Sequence, residues 1–149
     1  MKTVLPILIG LMLCTLSHAE TIKGDITFKI PEPEEKVSAQ LARQFKTEMK
    51  ISDECTLTTA LWVSDYFGER VVQDNADILN NSPSKKRITY SIAFFDEKGL
   101  LVVSASTTVD LTPGKLTRLG SCFIRLPDAQ ILRIRSYQIS AMELPLISN

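Results

Sequence analysis

Few residues of this chain have the chemistry for catalysis, and their placement works against it. The single histidine, His18, lies at the end of a leader-like stretch. Lys2 precedes an apolar run from Val4 to Leu16, and Ser17-His18-Ala19 offers a small-x-small site. This reads as a signal peptide over residues 1–19, cleaved between Ala19 and Glu20. Cleavage would remove His18, and with it Ser-His-Asp and Cys-His catalysis and every histidine-based metal site. Ser82-Pro83-Ser84-Lys85 has the Ser-x-x-Lys spacing of penicillin-recognising enzymes. The companion Ser-Asp-Asn and Lys-Thr-Gly elements are absent, and the chain is too short for that fold. Asp96, Glu97 and Asp110 sit near turn signals. A glycosidase needs two carboxylates facing across a cleft, and sequence spacing cannot show such a pair. The inventory therefore argues against an enzyme and calls for no cofactor, no metal ligand and no catalytic residue.

Cysteine chemistry is the next candidate. Cys14 could be lipidated, but Leu11-Met12-Leu13 lacks the small residues expected before such a site. After cleavage Cys55 and Cys122 remain, an even count in an exported chain, which suggests a disulfide. Closing the 66 residues between them would contribute about 4 kcal/mol in the chain-entropy account. Two buried free thiols are the alternative. Cleavage also leaves 16 Lys and Arg against 17 Asp and Glu, a formal charge of −1. That balance does not suit a polyanion partner, and Lys85-Lys86-Arg87 is too short a basic run to bind nucleic acid. The apolar run at the start is too short for a comfortable membrane span, so no stable membrane anchor is expected. Residues 20–149 suit one domain with its own core.

The elements that would position these residues are mostly strands. Ile22, Gly24, Ile26, Phe28 and Ile30 alternate with polar residues until Pro31-Glu32-Pro33 stops the ladder. Lys36 to Ile51 fits either a helix, from Val37, Leu41, Phe45 and Met49, or an extended segment from the odd-numbered phase. All-β surroundings tip it toward strand. Cys55 to Val63 reads as a strand whose Trp62 belongs in the core. Ser64 to Lys86 is irregular, with loop chemistry at Asn80-Asn81-Ser82-Pro83-Ser84. From Arg87 to Leu126 three β-branched and aromatic segments are separated by Asp96-Glu97-Lys98-Gly99 and Pro113-Gly114. Gln130 to Ala141 makes a last strand, with Arg133 and Arg135 on one face, where they could meet a carboxylate-bearing partner. About seven antiparallel strands with such turns make an all-β sandwich.

Three local patterns resemble fibronectin type III domains, members of the immunoglobulin-like sandwich class. Leu57-Thr58-Thr59-Ala60-Leu61-Trp62-Val63 is similar to the strand B pattern with its tryptophan. Tyr90-Ser91-Ile92-Ala93-Phe94 is similar to strand C, and Leu111-Thr112-Pro113-Gly114 to the corner before strand F. The tyrosine expected soon after that corner is missing, and the gap from Trp62 to Tyr90 is long. In overall form the chain also resembles small exported bacterial proteins that mimic host interleukin receptors. That resemblance implies a fibronectin-like sandwich, a domain-swapped homodimer, and a virulence-associated antigen that binds host cytokine receptors. The segment Ser64 to Lys86 would then be the swap hinge or the binding loop.

The expectation is an exported protein-binding module, periplasmic or secreted, acting through loops or strand edges. The alternative is a periplasmic envelope-assembly or chaperone-like factor acting on the edge strands of exported proteins.

Overall fold

A computed structural model describes residues 19–146. The expected signal peptide therefore lies outside the described residues, except for Ala19. Eight strands make two four-stranded antiparallel sheets packed face to face. They are β1 (Ala19–Asp25), β2 (Phe45–Ser52), β3 (Cys55–Tyr66), β4 (Glu69–Asn80), β5 (Lys86–Phe95), β6 (Leu101–Leu111), β7 (Lys115–Arg125) and β8 (Ser136–Leu144). One sheet runs β1-β8-β5-β6 and the other β2-β3-β4-β7. Two short helices, α1 (Val37–Leu41) and α2 (Asp128–Ile131), lie in the connections.

Period-two patterning builds the core. Leu57, Leu61, Val63, Val72, Ala76 and Ile78 face inward from one sheet, and Ile88, Ile92, Phe94 and Ile139 from the other. Burying each large side chain contributes about 1.5–3 kcal/mol of transfer free energy. Phe28 closes one end of the sandwich, edge-on to Phe94 at 5.7 Å.

The all-β expectation holds, and the strand order follows the immunoglobulin arrangement. β3-β4-β7 takes the A-B-E order and β6-β5-β8 the C′-C-F order. The place beside F, normally filled by the next strand of the chain, is taken by β1 from the other end of the sequence. β2 is an addition beside β3. The marks expected of a fibronectin type III domain fall in other places. Trp62 lies on the strand in the A position, and the Leu111-Pro113-Gly114 corner leads into the strand in the E position. Trp62 is buried as expected, yet it belongs to the opposite phase from Leu61 and Val63 and stands outside the main core cluster.

Three segments differ from their sequence reading. Lys36 to Ile51 divides into a single helical turn, α1, and the strand β2. Ser64 to Lys86 is no loop. It completes β3, turns at Phe67-Gly68, and runs out again as β4, the central strand paired with both β3 and β7. The inward phase of β4 is Val72, Asp74, Ala76, Ile78 and Asn80, and its two polar members hide the strand period. A central strand cannot serve as the expected hinge or binding loop. The last segment begins as α2, so Arg133 and Arg135 lie in a connector rather than on a strand face.

Gly24 in β1 pairs with Tyr137 in β8. A Cβ at Gly24 would sit 2.8 Å from the Tyr137 hydroxyl oxygen and 2.9 Å from its Cε1. The Tyr137 ring is buried and packed at 5.0 Å against Phe45, so it has little room to yield. Gly24→Ala should lower unfolding free energy by about 1–2 kcal/mol in urea titrations. An unchanged midpoint would show that the ring moves aside freely.

Candidate functional site

Two open sheets have four edges, each a row of backbone N–H and C=O groups without a sheet partner. Three of these edges carry charge along their length. β1 has Glu20, Lys23 and Asp25; β2 has Lys46, Glu48 and Lys50; β7 has Lys115, Arg118 and Arg125. β6 differs. From Leu100 to Val109 it reads Leu-Leu-Val-Val-Ser-Ala-Ser-Thr-Thr-Val, with neither a charge nor a proline. Its single charged residue, Asp110, is held at the strand end by Arg87 of β5, at 2.5 and 2.9 Å. A pairing irregularity occurs only at its start, opposite Phe94 and Phe95. Among the described strands, β6 is the long edge that no charge guards.

The outer face beside this edge is uncharged and rich in hydroxyls. Ser104, Ser106 and Thr108 point outward from β6 and are exposed. One cross-strand row runs Thr21, Ser140, Ser91, Ser106 through all four strands of the sheet. Thr21 bonds Ser140 at 3.0 Å, and Thr89 bonds Thr108 at 2.9 Å. Val103, Ala105 and Val109 turn the other way, partly buried against the core. An extended chain laid along β6 would therefore meet backbone groups flanked by alternating apolar and hydroxyl side chains. That is the chemistry of strand addition.

The opposite sheet buries a carboxylate. Asp74 of β4 is 1% exposed. It accepts a short hydrogen bond from Thr59 of β3, and the Tyr90 hydroxyl of β5 donates to it at 2.6 Å. No cation pairs with it among the described residues. Burial pushes its pKa above the usual 3.8, against the two hydroxyl bonds that lower it. Because Tyr90 comes from the facing sheet, this group ties the two sheets through the core. It is closed off from the surface and serves the fold.

At one end of the sandwich, Lys86 donates to Glu143 at 2.8 and 3.0 Å and lies 3.3 Å from Glu54. Beneath it Cys55 is a buried free thiol whose Sγ lies 3.8 Å from Asn80 Oδ1. Burial raises the Cys55 pKa, with the Lys86 charge opposing. The Cys122 half of the expected Cys55–Cys122 disulfide lies outside the described side chains, and only the strand register bears on it. On β4 the partner of Cys55 is Asn80, whereas the partner of Cys122 is Asp74. Six residues of strand separate those positions, about 20 Å. A disulfide spans roughly 4.4–6.8 Å between Cα atoms.

The other residues of chemical interest serve the fold. Ser82, of the Ser-x-x-Lys match, is buried, 2.7 Å from Asn80 Oδ1 and 2.9 Å from the Ser84 carbonyl. It staples a turn. Asp96 accepts from the backbone N–H of Lys98 and Leu100 and from Arg133, which holds its carboxyl below the usual 3.8. Asp96 and Asp110 are thus engaged at separate places, by Arg133 and Arg87. Arg135 bonds the carbonyls of Leu132 and Ile134. A shallow groove of about 430 Å³ beside Gly24, Phe95 and Tyr137 brings no group of reactive residues together. Among the described residues no cluster could hold a metal ion, and no helix is long and apolar enough to cross a membrane. The sequence shows Tyr66-Phe67-Gly68 as a short apolar piece but not that Phe67 heads an exposed turn. It stands 91% exposed at the β3–β4 turn with φ of 52°, beside Gly68 at 81°. Its ring stands edge-on to Tyr66, at 4.7 Å.

Fold and site together define a two-sheet β-sandwich with one unguarded edge. No protein-family model matches the chain, and none of the curated proteins does. Among solved structures, the chain is similar to one in the structure of the infectious bursal disease virus Gx strain. The identity is 12%, the TM-score 0.43, and the match covers 88% of this chain but 28% of that one. It is also similar to a DUF1425 family member from Shewanella sp. pv-4. There the identity is 15%, the TM-score 0.40, and the coverage 71% of this chain and 92% of that one. Neither likeness carries a function across.

Two measurements probe the interior. Since the folded-state pKa of Asp74 is raised, its stabilisation is fully present below pH 3.8 and is lost as pH rises through the folded value. The difference in unfolding free energy between the wild type and Asp74→Asn should therefore change over the range above pH 3.8 and then level off. A difference constant with pH would place the raised pKa in doubt. Cys55 should resist thiol reagents in the native protein, with or without prior reductant, and react on unfolding. Appearance of a Cys55 thiol only after reduction of the unfolded protein would restore the disulfide.

Proposed function

We propose that this chain is an exported protein-binding module that captures an extended segment of another polypeptide by adding it as a strand beside β6. The observation that supports this most is the uncharged edge from Leu100 to Val109, set among three edges that carry charges. Natural sheets blunt exposed edges with lysine, proline or bulges, because a bare edge invites pairing. Main-chain hydrogen bonds would give such a site its affinity. The alternating Ser, Thr, Val and Ala side chains would select uncharged, β-prone segments. Nothing in this arrangement asks for an enzyme's machinery.

Two kinds of client suit the reading. A host-surface protein, including a cytokine receptor, follows from the resemblance to interleukin-receptor mimics, and would make the chain a secreted virulence antigen. An exported protein with an unpaired strand follows from the edge itself, and would make the chain a periplasmic assembly or chaperone-like factor. The edge chemistry favours the second. A domain-swapped dimer loses its suggested hinge, because Ser64 to Lys86 contains the central strand β4.

A photoreactive side chain at Ser106 should form an adduct with an exported or host-surface protein through an extended segment of it. The same group at Glu48, on the charged edge β2, should not. Equal adducts at both positions, or none at Ser106 in either setting, would overturn the proposal. Cell fractionation then separates the clients. Adducts confined to the periplasm support the assembly role, and adducts after release into the medium support the host role.

A further inference from the structure

We infer that the resting occupant of the β6 edge is the β6 edge of a second copy of this chain, paired antiparallel about Ala105. The inference rests on the strand-addition reading above and names the first partner of that site. Its ground is that β6 is complementary to itself. In antiparallel pairing about Ala105, Ser104 stands opposite Ser106 of the second copy, and Val103 opposite Thr107. From Val103 to Thr107 the residues set opposite each other share a face, so the outward serines meet each other and the inward Val103 and Thr107 meet each other. No two charges are brought together between Leu101 and Val109. Serine opposite serine allows the cross-strand hydroxyl pairing already made at Thr21–Ser140 and Thr89–Thr108.

A further feature agrees. The two four-stranded sheets would also become one continuous eight-stranded sheet, satisfying the free backbone groups of both edges at once. Such an interface uses the same patch on both copies, and so closes as a two-fold dimer rather than running on as a fibre. Self-pairing and client capture use the same backbone groups and compete. The dimer would hold an aggregation-prone edge covered until a client displaces one copy.

The test is sedimentation of the purified protein over a range of concentrations, with two double variants at exposed positions. The wild type should show a monomer–dimer equilibrium. Ser104→Lys with Ser106→Lys sets like charges opposite each other twice, and should weaken dimerisation by several-fold to about thirtyfold. Ser104→Lys with Ser106→Glu sets opposite charges together and should restore the dimer. Circular dichroism of both variants should match the wild type. A wild type that stays monomeric at every concentration would overturn self-pairing, as would a dimer indifferent to both variants. Adducts at Ser106 can still form with a client in a strictly monomeric protein. Failure of this inference is thereby distinguishable from failure of the strand-addition reading. If both hold, added client should convert dimer to monomer–client complex.

Discussion

The architecture depends on a requirement of the backbone. Each strand carries hydrogen-bonding groups along both of its sides, and a buried group without a partner costs about 1–3 kcal/mol. Inside each sheet the ladders meet this requirement. At the rims water or another chain must meet it. Two open four-stranded sheets thus produce four exposed rims, and side chains determine which of them other polypeptides can use. Lys46, Glu48 and Lys50 make β2 unattractive to an incoming strand, as Arg118 and Arg125 do for β7. The composition of β6 does the opposite. The binding proposed for β6 is a property left over from how the sandwich closes, and needs no pocket.

The interior has its own specificity device. Apolar contacts between the sheets would tolerate small slips of one sheet over the other. The Thr59–Asp74–Tyr90 contact does not, since a buried carboxylate must keep both hydroxyl partners in place. β4 carries that carboxylate and is itself held by β3 and β7, so its register is fixed from three directions.

The pattern of the sequence was enough to identify the architecture where strand faces are chemically pure. β5, with Ile88, Tyr90, Ile92 and Phe94 in one phase, is legible because each inward residue is apolar or aromatic. β4 was not, because Asp74 and Asn80 occupy inward positions that only tertiary hydrogen bonds make tolerable. Its turn was hidden for a related reason. Phe67 takes a positive φ, a position where glycine or asparagine is the usual signal. The cysteine count alone carried no register, and only strand pairing sets Cys55 opposite Asn80 and Cys122 opposite Asp74. The edge lay in plain view as an uncharged run, but only strand order reveals that β6 has a free side and β5 does not.

The position of β1 bears on when this protein can fold. β1 is the earliest described strand to leave the ribosome, and its partner β8 is the last. Thr21 and Ser140 are 119 residues apart, yet they bond directly. The sheet containing β6 therefore cannot reach its full width until nearly the whole chain has been made. Such long-range closure is slow, so the half of the sandwich that holds β6 is the later of the two to set.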